Sequence, residues 1–215
     1  RQLFGAPGGI MHDWDLKTNI DGIYACGDQL FASDCFGFAC ATGYYAGRKA
    51  AKSSSDLTLP ACDYSFVESE KKRLYAPLKV SEGLDWRELN MAIAKAMQNY
   101  CGGIKNEALL KEGLDLLEYY EKQYVPQLQA VNPHELMRIH EVEDILTVSK
   151  LIINACLARK SSSKPLCFER SDYPDMDPEC DRRFITIKLE NGVTHIGSIE
   201  HDYFGKLKIE YEKNN

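Results

Sequence analysis

Apolar positions recur with a helical period through the middle of the chain, and each recurrence is bracketed by start and stop residues. From Trp86 to Tyr100 the stripe is Leu89, Ile93, Ala96, Met97 and Tyr100, one face of a helix that Gly102-Gly103 ends. From Asn106 to Tyr124 it is Leu110, Leu114, Leu117 and Tyr120, closed by Pro126. A third helix, Pro133 to Arg159, carries Leu136, Ile139, Val142, Ile145, Leu146, Val148, Ile152, Ala155 and Cys156. Asp85 with Glu88 and Asn132 with Glu135 have the spacing of capping boxes, the second with Pro133 at the first helical position. Three such helices joined by short links predict an antiparallel bundle, with Met97 and the aromatic residues in its core. A shorter charged helix is expected over Asp63 to Tyr75, stopped before Pro77.

The pattern changes towards both ends. Beyond Arg159, Ser161-Ser162-Ser163-Lys164-Pro165 reads as an irregular strap leading to Arg170-Ser171-Asp172-Tyr173-Pro174. Arg183 to Leu189 and Val193 to Ile199 flank Asn191-Gly192, the favoured two-residue turn, and predict a β-hairpin; Lys206 to Tyr211 is a candidate third strand. At the amino end, Arg1 to Ile10 is apolar and glycine-rich, a strand or loop in which Gly8-Gly9 either approaches a ring closely or simply turns. Gly22 to Cys26 is a short apolar run between turn formers, the pattern of a strand buried on both faces of a parallel sheet.

Gly27-Asp28 ends that run. A carboxylate at the carboxyl end of such a strand lies where open α/β sheets bind ligands, and it accepts hydrogen bonds from a ribityl or ribose hydroxyl. A small-residue helix is expected to begin near Ala39 to Thr42 and to run to about Ser53. Its first-turn amides have no intrahelical partner, and the dipole there is positive. The segment resembles the closing flavin-binding stretch of two-dinucleotide-type flavoproteins, which implies that these amides face the pyrimidine edge of an isoalloxazine, where they would stabilise the charge on a reduced flavin. Gly27, Asp28, Ala41, Thr42 and Gly43 are therefore the candidate cofactor-binding residues, and no residue is assigned a catalytic role. For Gly27-Asp28 taken alone, an ordinary strand, turn and helix is the plainer alternative.

Composition narrows the picture. A chain of 215 residues with 44% apolar residues can bury a sizeable core. The net charge of -6, with Lys and Arg dispersed, argues against a nucleic-acid partner. No apolar run approaches the length of a membrane span. The eight cysteines have no metal-ligand or redox-motif spacing, and most are expected to be reduced, buried small hydrophobes of a cytoplasmic protein. His134 and His140, six residues apart, face different ways on one helix, so no metal site is expected from them.

These residues resemble the flavoprotein subunits of the fumarate reductase, succinate dehydrogenase and adenylylsulfate reductase superfamily. The resemblance rests on Gly8-Gly9-Ile10, the segment Thr18 to Asp28, Met97-Gln98 with Gly102-Gly103-Ile104, and a helix ending in Arg159 before Arg170-x-Asp172-Tyr173-Pro174. Tyr75-Ala76-Pro77, Tyr100-x-x-Gly103-Ile104 and His134-Glu135-Leu136-Met137-Arg138 look most like the adenylylsulfate reductase α subunit. The resemblance implies an FAD-binding domain, a helical bundle packed back on it, an iron-sulfur or haem electron-transfer partner, and a small anionic substrate. The family's nucleotide-binding glycine loop, capping domain and proton-donating Arg have no counterpart in these residues. In place of family features stand Phe4-Gly5-Ala6-Pro7, the loop Ser33-Asp34-Cys35-Phe36-Gly37-Phe38 and the Ser161 to Lys164 strap.

The expected fold class is thus α+β, mainly α. Residues 1–60 form the carboxyl-terminal segment of an FAD-binding α/β domain, 61–165 an antiparallel three-helix bundle, and 166–215 a strap and small β tail. Because Arg1 reads as the middle of a domain, the chain is expected to be the carboxyl-terminal part of an FAD-dependent oxidoreductase, completed by a remaining amino-terminal portion and not catalytic alone. Arg170 and Asp172 either clamp a substrate or, the favoured reading, lock the strap onto the flavin domain. The alternatives are a non-catalytic helical module that docks an electron-transfer partner, and an adenylylsulfate reductase α-type subunit.

Overall fold

A computed structural model describes residues 8–30, 35–55, 57–58, 61–190, 192–202 and 205–214. Phe4 to Pro7, Ser33-Asp34, Pro60 and Asn191, all used in the sequence reading, lie outside the described residues. The elements run α1 (Cys35–Ser54), α2 (Tyr64–Leu74), α3 (Trp86–Tyr100), β1 (Ile104–Lys105), α4 (Glu107–Gln123), α5 (Pro133–Ala158), β2 (Glu169–Arg170), β3 (Arg183–Glu190), β4 (Val193–Glu200) and α6 (Leu207–Asn214). The fold is mainly α, as expected. The chain divides into two compact units, residues 1–61 with 200–215, and residues 62–199.

In the larger unit α3, α4 and α5 pack against one another in all three pairings. Leu89, Ile93 and Ala96 meet Leu110, Leu117, Ile139, Val142, Leu146, Ile153 and Cys156 in a continuous core. Their burial is the main favourable contribution to this unit, at roughly 1.5–3 kcal/mol for each large aliphatic side chain. The helix starts agree with the pattern. Asn106 Oδ1 accepts from Leu109 N at 2.9 Å, and Asn132 Oδ1 accepts from Glu135 N at 2.9 Å. The expected reciprocal bonds differ, however. Glu135 Oε2 accepts from Val131 N rather than from the cap residue, and Asp85 accepts from Arg87 N with no return bond from Glu88 among those found.

Three expectations about burial and strands are corrected. Ile145, Val148 and Ile152 are exposed, because α5 packs along one face only and nine apolar positions are more than that face can hold. Lys206 to Tyr211 is not a strand: α6 covers Leu207–Asn214, where the helix propensity of Leu, Lys and Glu prevails over the alternation of Leu207, Ile209 and Tyr211. Of the seven cysteines whose side chains are described only Cys156 is buried, and Cys26, Cys40, Cys62 and Cys167 are exposed, since they fall in loops, at an end or on the outer face of a helix. The hairpin is present as β3 and β4, with Gly192 at φ +77° in its turn.

A two-stranded parallel pair, unseen in the sequence, joins β1 to β2 through Ile104 opposite Glu169 and Lys105 opposite Arg170. Two residues per strand are too few to carry a period-2 pattern.

In the smaller unit Gly22 to Cys26 does not form the expected buried parallel strand. Tyr24 makes an isolated antiparallel bridge to Lys17, and Ile23 and Cys26 are exposed. Among the described residues no neighbouring strand offers the ladder that a doubly covered strand requires. The chain instead turns back on itself, with Thr18 N bonded to the Ile23 carbonyl at 3.0 Å and Ala25 N to the Leu16 carbonyl at 2.9 Å.

Candidate functional site

The smaller unit places the candidate residues around one corner. Gly27 begins a single 3-10 turn, Gly27–Gln29, and takes φ +65°, a left-handed conformation that costs a side-chain-bearing residue about 1 kcal/mol. Its amide donates to Thr42 Oγ1 at 2.9 Å, and the same hydroxyl donates to the Phe38 carbonyl at 2.7 Å. One hydroxyl therefore fastens the corner to α1. A Cβ at Gly27 would touch Ala39 Cβ at 3.5 Å, so the corner rests directly on the helix. Asp28 projects from it, exposed, and its carboxylate meets no partner among the described residues.

Helix α1 begins earlier than the pattern suggested, at Cys35 rather than near Ala39. The first turn, where amides lack intrahelical partners, accordingly begins at Cys35, while Ala41, Thr42 and Gly43 lie in the second and third turns. Thr42 enters through its side chain, not its amide. Ala41 is exposed and Gly43 half-buried, and a Cβ at Gly43 or Gly47 would meet nothing within 4 Å, which leaves a slim helix face open to a neighbour. Asp15, which the sequence reading passed over, pins the preceding turn to α1 by accepting from Lys49 Nζ at 2.6 Å and Tyr45 Oη at 3.3 Å.

Gly8-Gly9 brings backbone close to backbone. A Cβ on Gly9 would sit 2.4 Å from the Gln29 carbonyl oxygen and 2.7 Å from the Leu30 carbonyl carbon, while Ile10 N bonds that Gln29 oxygen at 2.7 Å. Gly9→Ala should therefore displace the segment that follows Asp28 and destabilise this unit by about 1–3 kcal/mol. Hydrogen exchange of the Ile10 amide reports the change directly.

A second constellation lies in the larger unit. Arg170, fully buried, directs Nε and Nη2 at the two oxygens of Asp172, each at 2.7 Å, and Nη1 at the carbonyls of Cys156 and Arg159 at 2.5 and 3.0 Å. Asp172 also accepts from Glu107 N at 2.8 Å, at the start of α4. The forked hydrogen bonds of Arg170 hold the Asp172 carboxyl well below the usual carboxylate range. The pair thus locks rather than clamps. Its bonds run to the bundle, correcting the expectation of a lock onto the flavin domain: it joins the carboxyl end of α5 to the amino end of α4.

The strap is more ordered than its composition suggests. Ser161, Ser162 and Ser163 are buried. Ser162 Oγ accepts from Arg170 N at 2.9 Å and donates to the Tyr173 carbonyl at 2.8 Å, and Ser161 Oγ accepts from Asp177 N at 2.9 Å. Among the described residues no group of three His, Cys, Asp or Glu side chains is placed to hold a metal ion.

Residues 90–213 match the family described as fumarate reductase flavoprotein C-term, and this match spans more than half of the chain. The chain belongs to that family. Solved structures agree in fold. Adenylylsulfate reductase from the hyperthermophilic Archaeoglobus fulgidus superposes with a TM-score of 0.77 at 22% identity, over 83% of this chain and 31% of that one. A Mycobacterium smegmatis Sdh1 structure in complex with UQ1 gives 0.76 at 21%, over 95% and 38%. The Escherichia coli quinol fumarate reductase gives 0.75 at 17%, over 89% and 36%. The chain thus spans about a third of the length of these flavoproteins. No curated protein matches it. No helix among the described residues is long and apolar enough to cross a membrane.

Proposed function

We propose that the chain is the carboxyl-terminal part of an FAD-dependent oxidoreductase of the fumarate reductase and succinate dehydrogenase type. In this reading residues 1–60 help to hold FAD, 61–165 form the packing domain and 166–215 the strap and tail. The observation that carries it is the Gly27 N to Thr42 Oγ1 bond of 2.9 Å, which fixes an unpartnered carboxylate beside a small-residue helix. The residues present fit part of a flavin site. Asp28 supplies an acceptor suited to a sugar or ribityl hydroxyl, and the first turn of α1, beginning at Cys35, supplies amide donors suited to the electron-rich edge of the ring. Ala41 and Gly43 keep the adjoining helix face slim, and Gly27 permits the turn that projects Asp28.

FAD, when bound, supplies hydride acceptance and donation at its N5. The protein's part is to orient and to polarise. Thr42 holds the corner so that Asp28 needs no reorganisation on binding, and the positive end of α1 favours negative charge nearby. The rest of the cofactor's contacts, the groups acting on a small anionic substrate and the docking of an iron-sulfur or haem protein belong, in this proposal, to the remainder of a longer flavoprotein. That flavoprotein is cytoplasmic in this reading, and the segment is inactive alone.

The test uses the complete flavoprotein. Asp28→Ala is expected to weaken FAD binding at least 10-fold, a hydrogen bond to a charged group being worth about 1.5–3 kcal/mol. Thr42→Val should weaken it less, by loosening the corner only. Retention of stoichiometric yellow cofactor through dialysis by Asp28→Ala would overturn the assignment.

A further inference from the structure

We propose that Cys101 and Cys156 are a redox-responsive thiol pair, converted by a hydroperoxide into a disulfide that joins the carboxyl end of α3 to the carboxyl end of α5. The two residues are 55 positions apart in sequence, yet their sulfurs lie 3.8 Å from each other. A disulfide needs its sulfurs about 2 Å apart, and turning the two side chains about their Cα–Cβ bonds is the motion that would bring them together. No sulfur partner of this kind is found for Cys26, Cys40, Cys62, Cys167 or Cys180 among the described residues.

The two thiols are not equivalent. Cys101 caps α3, half-buried, next to Gly102 and the exposed Gly103. Cys156 is buried in the last turns of α5. The thiol–thiol contact with Cys156 lowers the pKa of Cys101, helped by the Lys105 ammonium, which the Gly102 carbonyl holds at 2.7 Å. The same contact and burial push Cys156 up. Cys101 is therefore the nucleophile and Cys156 the resolving thiol.

The chemistry balances without any group from the flavin. The Cys101 thiolate attacks the distal oxygen of the hydroperoxide, the O–O bond breaks, and the departing alkoxide or hydroxide takes up a proton to leave as alcohol or water. Cys101 becomes a sulfenic acid. Cys156 sulfur then attacks the Cys101 sulfur, its proton leaves with the displaced hydroxide as water, and the disulfide forms. Two thiols are oxidised and one peroxide is reduced.

The experiment treats the folded full chain with hydrogen peroxide, quenches with acid, alkylates the remaining thiols and maps the peptides. A Cys101–Cys156 cross-linked peptide, about 2 Da lighter than the two reduced peptides together, is expected before any other linkage. Cys156→Ser should instead accumulate dimedone-trappable sulfenic acid at Cys101 at least several-fold over wild type, and Cys101→Ser should leave Cys156 alkylatable. Full alkylation of both cysteines after exposed Cys62 has been oxidised would overturn the proposal, as would random pairing among all the cysteines. Should either variant fail to fold, the wild-type peptide map alone decides.

Discussion

Replacement of Arg170 by Leu should lower the stability of residues 62–199 by about 2–4 kcal/mol, mostly the cost of leaving two buried carbonyls without their donor. The magnitude follows from what is left behind. The carbonyls of Cys156 and Arg159 lose a fully buried donor, while Asp172, which is open to water, loses both of its forked bonds but can be solvated in their place. Arg170→Lys keeps the charge but cannot reach a carboxylate and two carbonyls at once, so it should recover only a minor part of the loss. Urea unfolding with an unchanged slope and a lowered midpoint is the measurement.

The same pair sets an acid limit. Asp172 has its folded pKa depressed by Arg170, so its contribution is fully present above the unfolded carboxylate value of about 4 and is lost as the pH falls below it. Wild-type stability should therefore decline steeply below pH ~4, and the decline should be shallower in Asp172→Asn, which has no such proton to bind. Parallel acid limbs in the two proteins would show that other carboxylates dominate.

The second large effect belongs to Gly113. In the middle of α4, glycine costs about 1 kcal/mol relative to alanine, so propensity alone would make Gly113→Ala stabilising. Geometry reverses the sign. A Cβ there would lie 2.6 Å from Tyr100 Cβ and 3.4 Å from Ile153 Cδ1, where α4 meets both α3 and α5. The near atom is next to the α3 backbone and cannot swing aside, so the helices must separate. Gly113→Ala should destabilise by about 1–2 kcal/mol and Gly113→Val by about 3 kcal/mol or more. Thermal melts of the two variants, read by far-ultraviolet dichroism, give the order. A melting temperature for Gly113→Ala above wild type would show that the helices relax freely.

Much of the larger unit was legible because long helices repeat their signal. Leu89, Ile93, Leu110, Leu117, Ile139 and Leu146 stand at the spacing that burial demands, and all are buried. The strap was not legible. Serines are usually solvated, and nothing local distinguishes Ser161 to Ser163, whose partners Tyr173 and Asp177 lie more than ten residues away. Arg170 was legible as a lock but not in its destination, because its acceptors on α5 are backbone carbonyls that a sequence cannot mark. Around Gly27 the corner residues stood out by type. Less legible was that Thr42 acts through its hydroxyl, because α1 starts at Cys35, directly after Ser33-Asp34, and not at the small-residue run from Ala39 that marks its interior.

The bond from Glu107 N to Asp172 spans 65 positions. On a ribosome, α4 emerges with its first turn untied and waits for dozens of further residues to be synthesised before its fastening arrives. The bundle can collapse early through its aliphatic seam, but its carboxyl-end seal is a late event in vectorial synthesis. A nascent chain stalled just short of residue 170 would therefore be a protease-sensitive intermediate, and release of a few more residues would convert it to a resistant one.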